Sequence, residues 1–274
     1  MKTMKLMGLL MLTLLSLPLR AQCPLENNAF QGGEVLEYKL FFNWKFVWLN
    51  AGSATLRTES ITHKGKPALR SHLITRTSKR LDKFFQMRDT LEAVYSPRLV
   101  PHYYRKGANE GGKYRLNVVE YSYPGGQTQV DLLYQNPYGD QTRDVLKQAD
   151  CVYDMLSMMF RARNFDGRQF KKGDRLNFLM ADGKNVEQQT VVYRGIKNFT
   201  TEDDKEITYR CMVFSFVEKQ GKKEKEIITF YITDDQNHLP VRLDMFLRFG
   251  VAKAFLKTAT GVRNPQTSIL KQKK

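Results

Sequence analysis

Much of what usually betrays a function is missing from this chain. Its 274 residues hold three cysteines, four histidines and two tryptophans. No GxSxG, HExxH, Walker, GxGxxG or calcium-loop pattern occurs, which removes the hydrolase, metalloprotease, nucleotide and EF-hand readings those spacings support. Ser268-Ile269-Leu270-Lys271 has the form SxxK but stands in a polar C-terminal stretch. His63, His72, His102 and His238 share no spacing and no cysteine pair is CxxC, so neither a metal centre nor a cofactor is expected. Past Pro18 there is no long apolar run, so no membrane-spanning helix is expected in a mature chain. Acid is also scarce: 28 Asp and Glu stand against 44 Lys and Arg, a formal charge of +16.

What is present begins at the N-terminus. Lys2 and Lys5 precede an apolar run from Leu6 to Leu17, followed by Pro18, Leu19, Arg20 and Ala21. This order predicts a signal peptide over residues 1–21, cut after Ala21, because the run is too short to cross a bilayer. Arg20 and Gln22 disfavour lipidation of Cys23. Losing Lys2, Lys5 and Arg20 takes the formal charge from +16 to about +13. The mature chain is expected to be exported, periplasmic or secreted, in an oxidising compartment that permits one disulfide. Cys211 lies in an apolar strand and reads as a buried thiol, so the expected bridge is Cys23 to Cys151. For an exported chain the counter-ions of such a basic surface are anionic lipid headgroups or acidic glycans, or solvent alone. No nucleic-acid motif accompanies it, and no nucleic-acid partner is expected.

Residues 35–48 organise the rest. Leu36, Tyr38, Leu40, Phe42, Trp44, Phe46 and Trp48 alternate with Glu37, Lys39, Asn43 and Lys45, which predicts one long strand with a heavy aromatic face. Small residues at Asn50 to Ala54 allow close backbone approach. Further alternating runs, broken by Gly, Pro and Asp-Gly turns, predict a meander of hairpins, with a loop at Gly107–Gly112 and a β-bulge between Val118 and Val119. Val152, Met155, Leu156, Met159 and Phe160 recur at helical spacing and predict one amphipathic helix over about 150–163, capped by Asp150. The expected fold is mainly β: a large curved antiparallel sheet or open barrel-like sandwich in a single domain over 22–260, then a disordered basic tail over 261–274.

Two corners have the same plan, Thr90 to Tyr103 with Leu99-x-Pro101, and Thr229 to Leu243 with Leu239-Pro240. Together with Gly33-Glu34-Val35-Leu36-Glu37-Tyr38, Ala51-Gly52, Arg88-Asp89-Thr90 and the block from Phe230-Tyr231-Ile232-Thr233-Asp234-Asp235 to Val241-Arg242, they resemble an exported bacterial family catalogued as a domain of unknown function, number 3108. The resemblance covers roughly residues 30–260 and rests on structural corners. It implies a strongly curved antiparallel sheet or open barrel with little helix. More weakly, the chain is similar to the half-barrels of periplasmic lipoprotein carriers, which implies an aromatic-lined concavity for acyl chains.

Three functions follow. In the first, a non-catalytic module binds a lipid-like ligand against Tyr38, Phe42, Trp44, Phe46 and Trp48, with Met155 and Met159 as an adaptable wall. In the second, an envelope scaffold docks a protein or anionic glycan through its basic face. In the third, an enzyme acts on an envelope glycan with two inward carboxylates. Arg88 and Asp89 are neighbours on a strand, so one of them points inward and needs a partner, structural or ligand. Asp234, Asp235 and His238 read as a solvated turn.

Overall fold

The aromatic run folds back on itself. The computed structural model describes residues 23–44, 47–201, 206–221, 223–247 and 250–272. In it β1 (Val35–Trp44) and β2 (Val47–His63) pair as an antiparallel hairpin, where the alternation predicts one strand. A short tip preserves the period of two, but each residue then shares a face with the partner opposite it. Trp48 stands opposite Asn43 and so points away from Tyr38 and Leu40. Phe46 and the signal peptide expected over 1–21 lie outside the described residues.

The meander continues through β3 (Lys66–Thr77), β4 (Met87–Tyr95), β5 (Pro101–Glu110), β6 (Lys113–Ser122), β7 (Thr128–Gln135) and β8 (Gln141–Gln148). Then come β9 (Val152–Tyr153), α1 (Met155–Ala162), β10 (Arg175–Asp182), β11 (Asn185–Thr200), β12 (Thr208–Gln220), β13 (Lys223–Thr233), β14 (Pro240–Leu247), β15 (Gly250–Thr260) and β16 (Ile269–Lys271). One sheet joins them in the order β8-β7-β6-β5-β4-β3-β2-β1-β15-β14-β13-β12-β11-β10-β9, with β16 added to β12. Pairing is antiparallel except between β9 and β10. Only residues 149–151 separate β8 from β9, the two ends of this path. That connection spans at most roughly 14 Å, so the sheet is nearly closed into a barrel. The expected fold class, mainly β with a single α-helix among the described residues, is what the chain adopts.

Several local expectations change. β5 runs through Gly107 to Glu110, and only Gly111 and Gly112 turn. No bulge interrupts Val118 and Val119, which pair in continuous register with β5 and β7; Val119 is buried and Val118 faces the other way. The helix is shorter than 150–163, because Val152 and Tyr153 pair with β10 and Asp154, not Asp150, supplies the cap. β8 reads QTRDVLKQ, an edge strand whose polar residues hide its alternation. The described part of the segment expected as a disordered tail, residues 261–272, packs on the rest of the chain. Arg263 donates to the Asn27 carbonyl at 2.7 Å, Ser268 N–H donates to Asp235, and β16 pairs with β12.

Both Leu-Pro corners place their proline at or beside a strand start, where a missing N–H costs no ladder bond. Each carries a residue at positive φ, Leu99 (57°) and His238 (44°). Cys23 is bonded to Cys151 across 128 residues of sequence, tying the N-terminal segment to the approach of α1. Burial holds the Cys211 thiol up at about 12, which keeps it protonated and inert.

Candidate functional site

The inner face of β1 to β7 is built from Leu36, Tyr38, Leu40, Leu56, Leu91, Ala93, Tyr95, Tyr104, Val119 and Val130, all buried. The chain fills the concavity above them itself. Phe160 of α1 packs on Phe30 at 4.6 Å and on Tyr95 at 5.5 Å between ring centroids, with Leu156 beside them. At the end of α1 the Arg163 guanidinium forks onto Glu34, 2.5 and 2.9 Å, and donates to the Asn237 carbonyl at 2.9 Å. Both side chains are 1% exposed, and Phe30 covers the guanidinium at 5.0 Å. Among the described residues this is the fully buried ion pair. The pair expected at Arg88 and Asp89 is different: Arg88 binds Asp82 at 2.5 Å, the two side chains 34% and 19% exposed, on the Lys39 face, while Asp89 lies on the inner row with Tyr38, Ala54 and Thr75.

Asp154 shows how local sequence places a buried charge. It caps α1 by accepting from Ser157 N–H at 2.8 Å and the Ser157 hydroxyl at 2.6 Å, and the Tyr121 hydroxyl donates to it at 3.2 Å. Burial outweighs these bonds and pushes its carboxyl up to about 6; burial and the nearby Glu110 do the same to Asp89, also to about 6. A carboxyl raised in the folded state binds more protons there than in the unfolded chain. Its contribution is therefore full at low pH and is lost as pH rises from about 4 to about 6. Asp154→Asn is expected to keep the cap and remove roughly half of that fall, measured by urea unfolding at pH 4, 5, 6 and 7. An unchanged profile would show that Asp154 is ionised without cost.

Because directly paired residues share a face, the registers define one further row on the Leu40 side of the sheet. Leu49, Phe42, Ala252, Met245, Ile228, Phe216, Val191 and Leu176 stand opposite one another in turn across β2, β1, β15, β14, β13, β12, β11 and β10. All eight are apolar and none is buried. The adjoining row, Leu40, Ala254, Leu243, Phe230, Phe214 and Tyr193, is covered in part by the chain after α1, where Phe170 packs on Tyr193 at 5.8 Å and on Phe214 at 6.0 Å. On the opposite face Arg242, paired with Asp244 at 2.7 Å, sits over the rings of Phe199, Tyr231 and Phe255. That face is therefore satisfied, whereas the row from Leu49 to Leu176 is only partly covered, Leu49 being exposed and the other seven half-buried.

The expected ligand residues fall in three places. Tyr38 is core; Phe42 belongs to the partly covered row; Trp48, 45% exposed, stacks under Lys253 at 4.3 Å on the other face. Trp44 closes β1, and Phe46 is not among the described residues. Met159 packs on the core while Met155 is exposed, so the two do not form one wall. A separate cleft of about 460 Å³ lies between the N-terminal segment, the β2–β3 hairpin and the β4–β5 corner, with Arg98, Arg263 and Glu26 on its rim; Arg263 is already bound to the Asn27 carbonyl. No group of three His, Cys, Asp or Glu among the described residues is placed to hold a metal ion. No helix among them is long and apolar enough to cross a membrane.

An antiparallel sheet nearly closed on itself and plugged by its own helix and N-terminal segment makes this a barrel-like β protein. The chain belongs to the family described as protein of unknown function DUF3108, whose model matches residues 13–257. Among solved structures it is similar to a beta-barrel-like protein of domain of unknown function DUF1849 from Brucella abortus. There the identity is 10%, over 84% of this chain and 98% of that one, with a TM-score of 0.46. A protein with a YmcC-like fold from Bacteroides fragilis is similar at 7% identity over 86% and 98%, with a TM-score of 0.33. No curated protein matches.

Proposed function

We propose that this chain is an exported, non-catalytic module of the bacterial cell envelope that holds an amphiphilic, lipid-like ligand on the row from Leu49 to Leu176. The reading rests on one observation, eight apolar side chains in continuous register across eight neighbouring strands, none of them buried. A sheet face is ordinarily either packed or polar, so a continuous apolar row that the chain covers only in part leaves room for an occupant. At the usual strand spacing the row runs roughly 34 Å along the sheet, longer than a single acyl chain. The Leu49 end lies beside the exposed cations Lys79 and Arg80, since Ser78 N–H donates to the Ala51 carbonyl at 2.9 Å, which suits an acyl tail with an anionic head. Export is supported by the N-terminal sequence and by the Cys23–Cys151 bridge, which needs an oxidising compartment.

The test is a titration of residues 22–274 with a fluorescent fatty acid kept below its micelle concentration, followed by native mass spectrometry. A stoichiometric adduct is expected, and Phe216→Asp with Met245→Asp should weaken uptake by roughly tenfold or more, since each buried methylene contributes about 0.8 kcal/mol. Circular dichroism checks that the variant folds. Wild-type protein that takes up no fatty acid, or a folded variant that binds as well, would refute the proposal.

A further inference from the structure

Antiparallel pairing sends alternate connections to opposite ends of the sheet. The corners, the Arg163–Glu34 pair and the C-terminal segment gather at one end. The tips of β1–β2, β3–β4, β5–β6 and β14–β15 emerge together at the other. Hydrogen bonds join these tips into one rim: the Ser78 hydroxyl donates to the Asn50 carbonyl at 3.4 Å, and Gly111 N–H donates to the Gln86 carbonyl at 2.8 Å. Asn43 pairs with Val251 and Leu247 with Gly250, which adds the fourth tip.

The composition of this rim is unlike the rest of the surface. Among the described residues ten large apolar side chains are exposed, and five of them, Trp48, Leu49, Phe84, Phe85 and Leu247, stand here, Phe84 at 85%. Cations are interleaved with them. Lys79, Arg80 and Lys83 are exposed in the same connection as the two phenylalanines, and Lys253 lies against Trp48. The rim's acids are answered internally, Asp82 by Arg88 and Glu110 by Arg115. What faces outward is apolar and positive.

We infer that this rim docks the protein on a lipid bilayer that carries anionic headgroups. Exposed aromatic and leucine side chains set among lysine and arginine are what an interfacial surface requires: rings enter the headgroup boundary while long cationic stems reach the phosphates. The formal charge of residues 22–274, about +13 once Lys2, Lys5 and Arg20 are gone, adds long-range attraction toward an anionic leaflet. A soluble acidic protein would be drawn by the same cations, but it would leave Phe84 in water with nothing to enter. This surface goes beyond the ligand row: Leu49, Lys79 and Arg80 stand where the two meet, while Phe84, Phe85 and Lys83 belong to the rim alone.

Residues 22–274 are mixed with phosphatidylcholine vesicles, with and without phosphatidylglycerol, and bound protein is measured by sedimentation. Both tryptophans belong to the β1–β2 hairpin, so brominated acyl chains should quench their emission if the rim inserts. Binding is expected only with the anionic lipid, weakening with salt. Lys79→Ala with Arg80→Ala should weaken it roughly thirtyfold, at about 1 kcal/mol per cation near the surface. Phe84→Ser with Phe85→Ser should reduce both binding and quenching while circular dichroism is unchanged. No binding to either vesicle, binding without quenching, or variants that bind like wild type would overturn the inference. A chain that takes up monomeric fatty acid yet ignores vesicles would overturn this surface and leave the ligand row standing. Vesicle binding without fatty-acid uptake would do the reverse.

Discussion

Arg163→Ala is expected to lower the unfolding free energy by about 3–5 kcal/mol. The guanidinium and the Glu34 carboxylate are each 1% exposed and joined by two short bonds, and the guanidinium also satisfies the Asn237 carbonyl. Removing the cation alone strands a carboxylate and a carbonyl where water does not reach, between the rings of Phe30 and Phe160. The same logic makes the reverse experiment informative. Arg163→Met together with Glu34→Leu removes both charges and keeps apolar bulk, so most of the loss should be recovered. Arg163→Lys should not recover it, because one ammonium cannot reproduce a planar fork that bonds two carboxylate oxygens and stacks on a ring. Urea midpoints for the four proteins decide the matter. A single variant within 1 kcal/mol of wild type would mean that the pair is dispensable, and the closure of this end would then rest on the aromatic packing alone.

That pair also marks where local reading of the sequence stops. Glu34 and Arg163 are 129 residues apart. From the chain alone, Arg163 suits a helix C-terminus and Glu34 a turn before a strand; both descriptions hold locally and neither predicts the meeting. Arg88 and Asp89 attract attention because they are adjacent, yet adjacency on a strand guarantees only that they part. The strands themselves were legible, since apolar alternation with Gly, Pro and Asp-Gly punctuation is written in neighbouring residues. What alternation does not carry is where one strand ends and its antiparallel partner begins when no glycine marks the boundary. Across Lys45 and Phe46 the period of two runs on unbroken, so a hairpin looks like a strand and Trp48 changes face. β8 was hidden for the opposite reason, a polar edge strand with little apolar pattern to read. The segment after Gly261 looked like a tail because its anchors, Asn27, Asp235 and Asn237, lie elsewhere in the chain. The partly covered apolar row is a property of register, eight residues drawn from eight strands, and becomes visible only when the pairings are known.

The second large effect concerns the approach of two backbones at the base of the β1–β2 hairpin. Gly52→Ala is expected to destabilise by roughly 3–5 kcal/mol, combining overpacking with a strained backbone. Gly52 has φ +153° and stands where the β1–β2 register shifts between Leu40 and Phe41. A Cβ there would lie 2.0 Å from the Arg76 carbonyl oxygen and 2.8 Å from Thr77 Cα, both of them backbone atoms that cannot swing aside. Gly33 separates the two contributions. It too has positive φ, +97°, but nothing lies within 4 Å of a Cβ built on it, so Gly33→Ala should cost only about 1–2 kcal/mol of conformational strain. The hairpin beyond Gly52 carries both Trp48 and Leu49, so relief of the clash by slippage of β2 against β3 would move the apolar row and the rim together; a slip of one residue exchanges their faces. Thermal unfolding of the two alanine variants, with tryptophan emission as a second reading, tests this directly. Gly52→Ala should unfold well below Gly33→Ala and shift the emission of the folded protein. Equal losses with unchanged emission would show that the close contact yields without cost and that the hairpin is not pinned at this glycine.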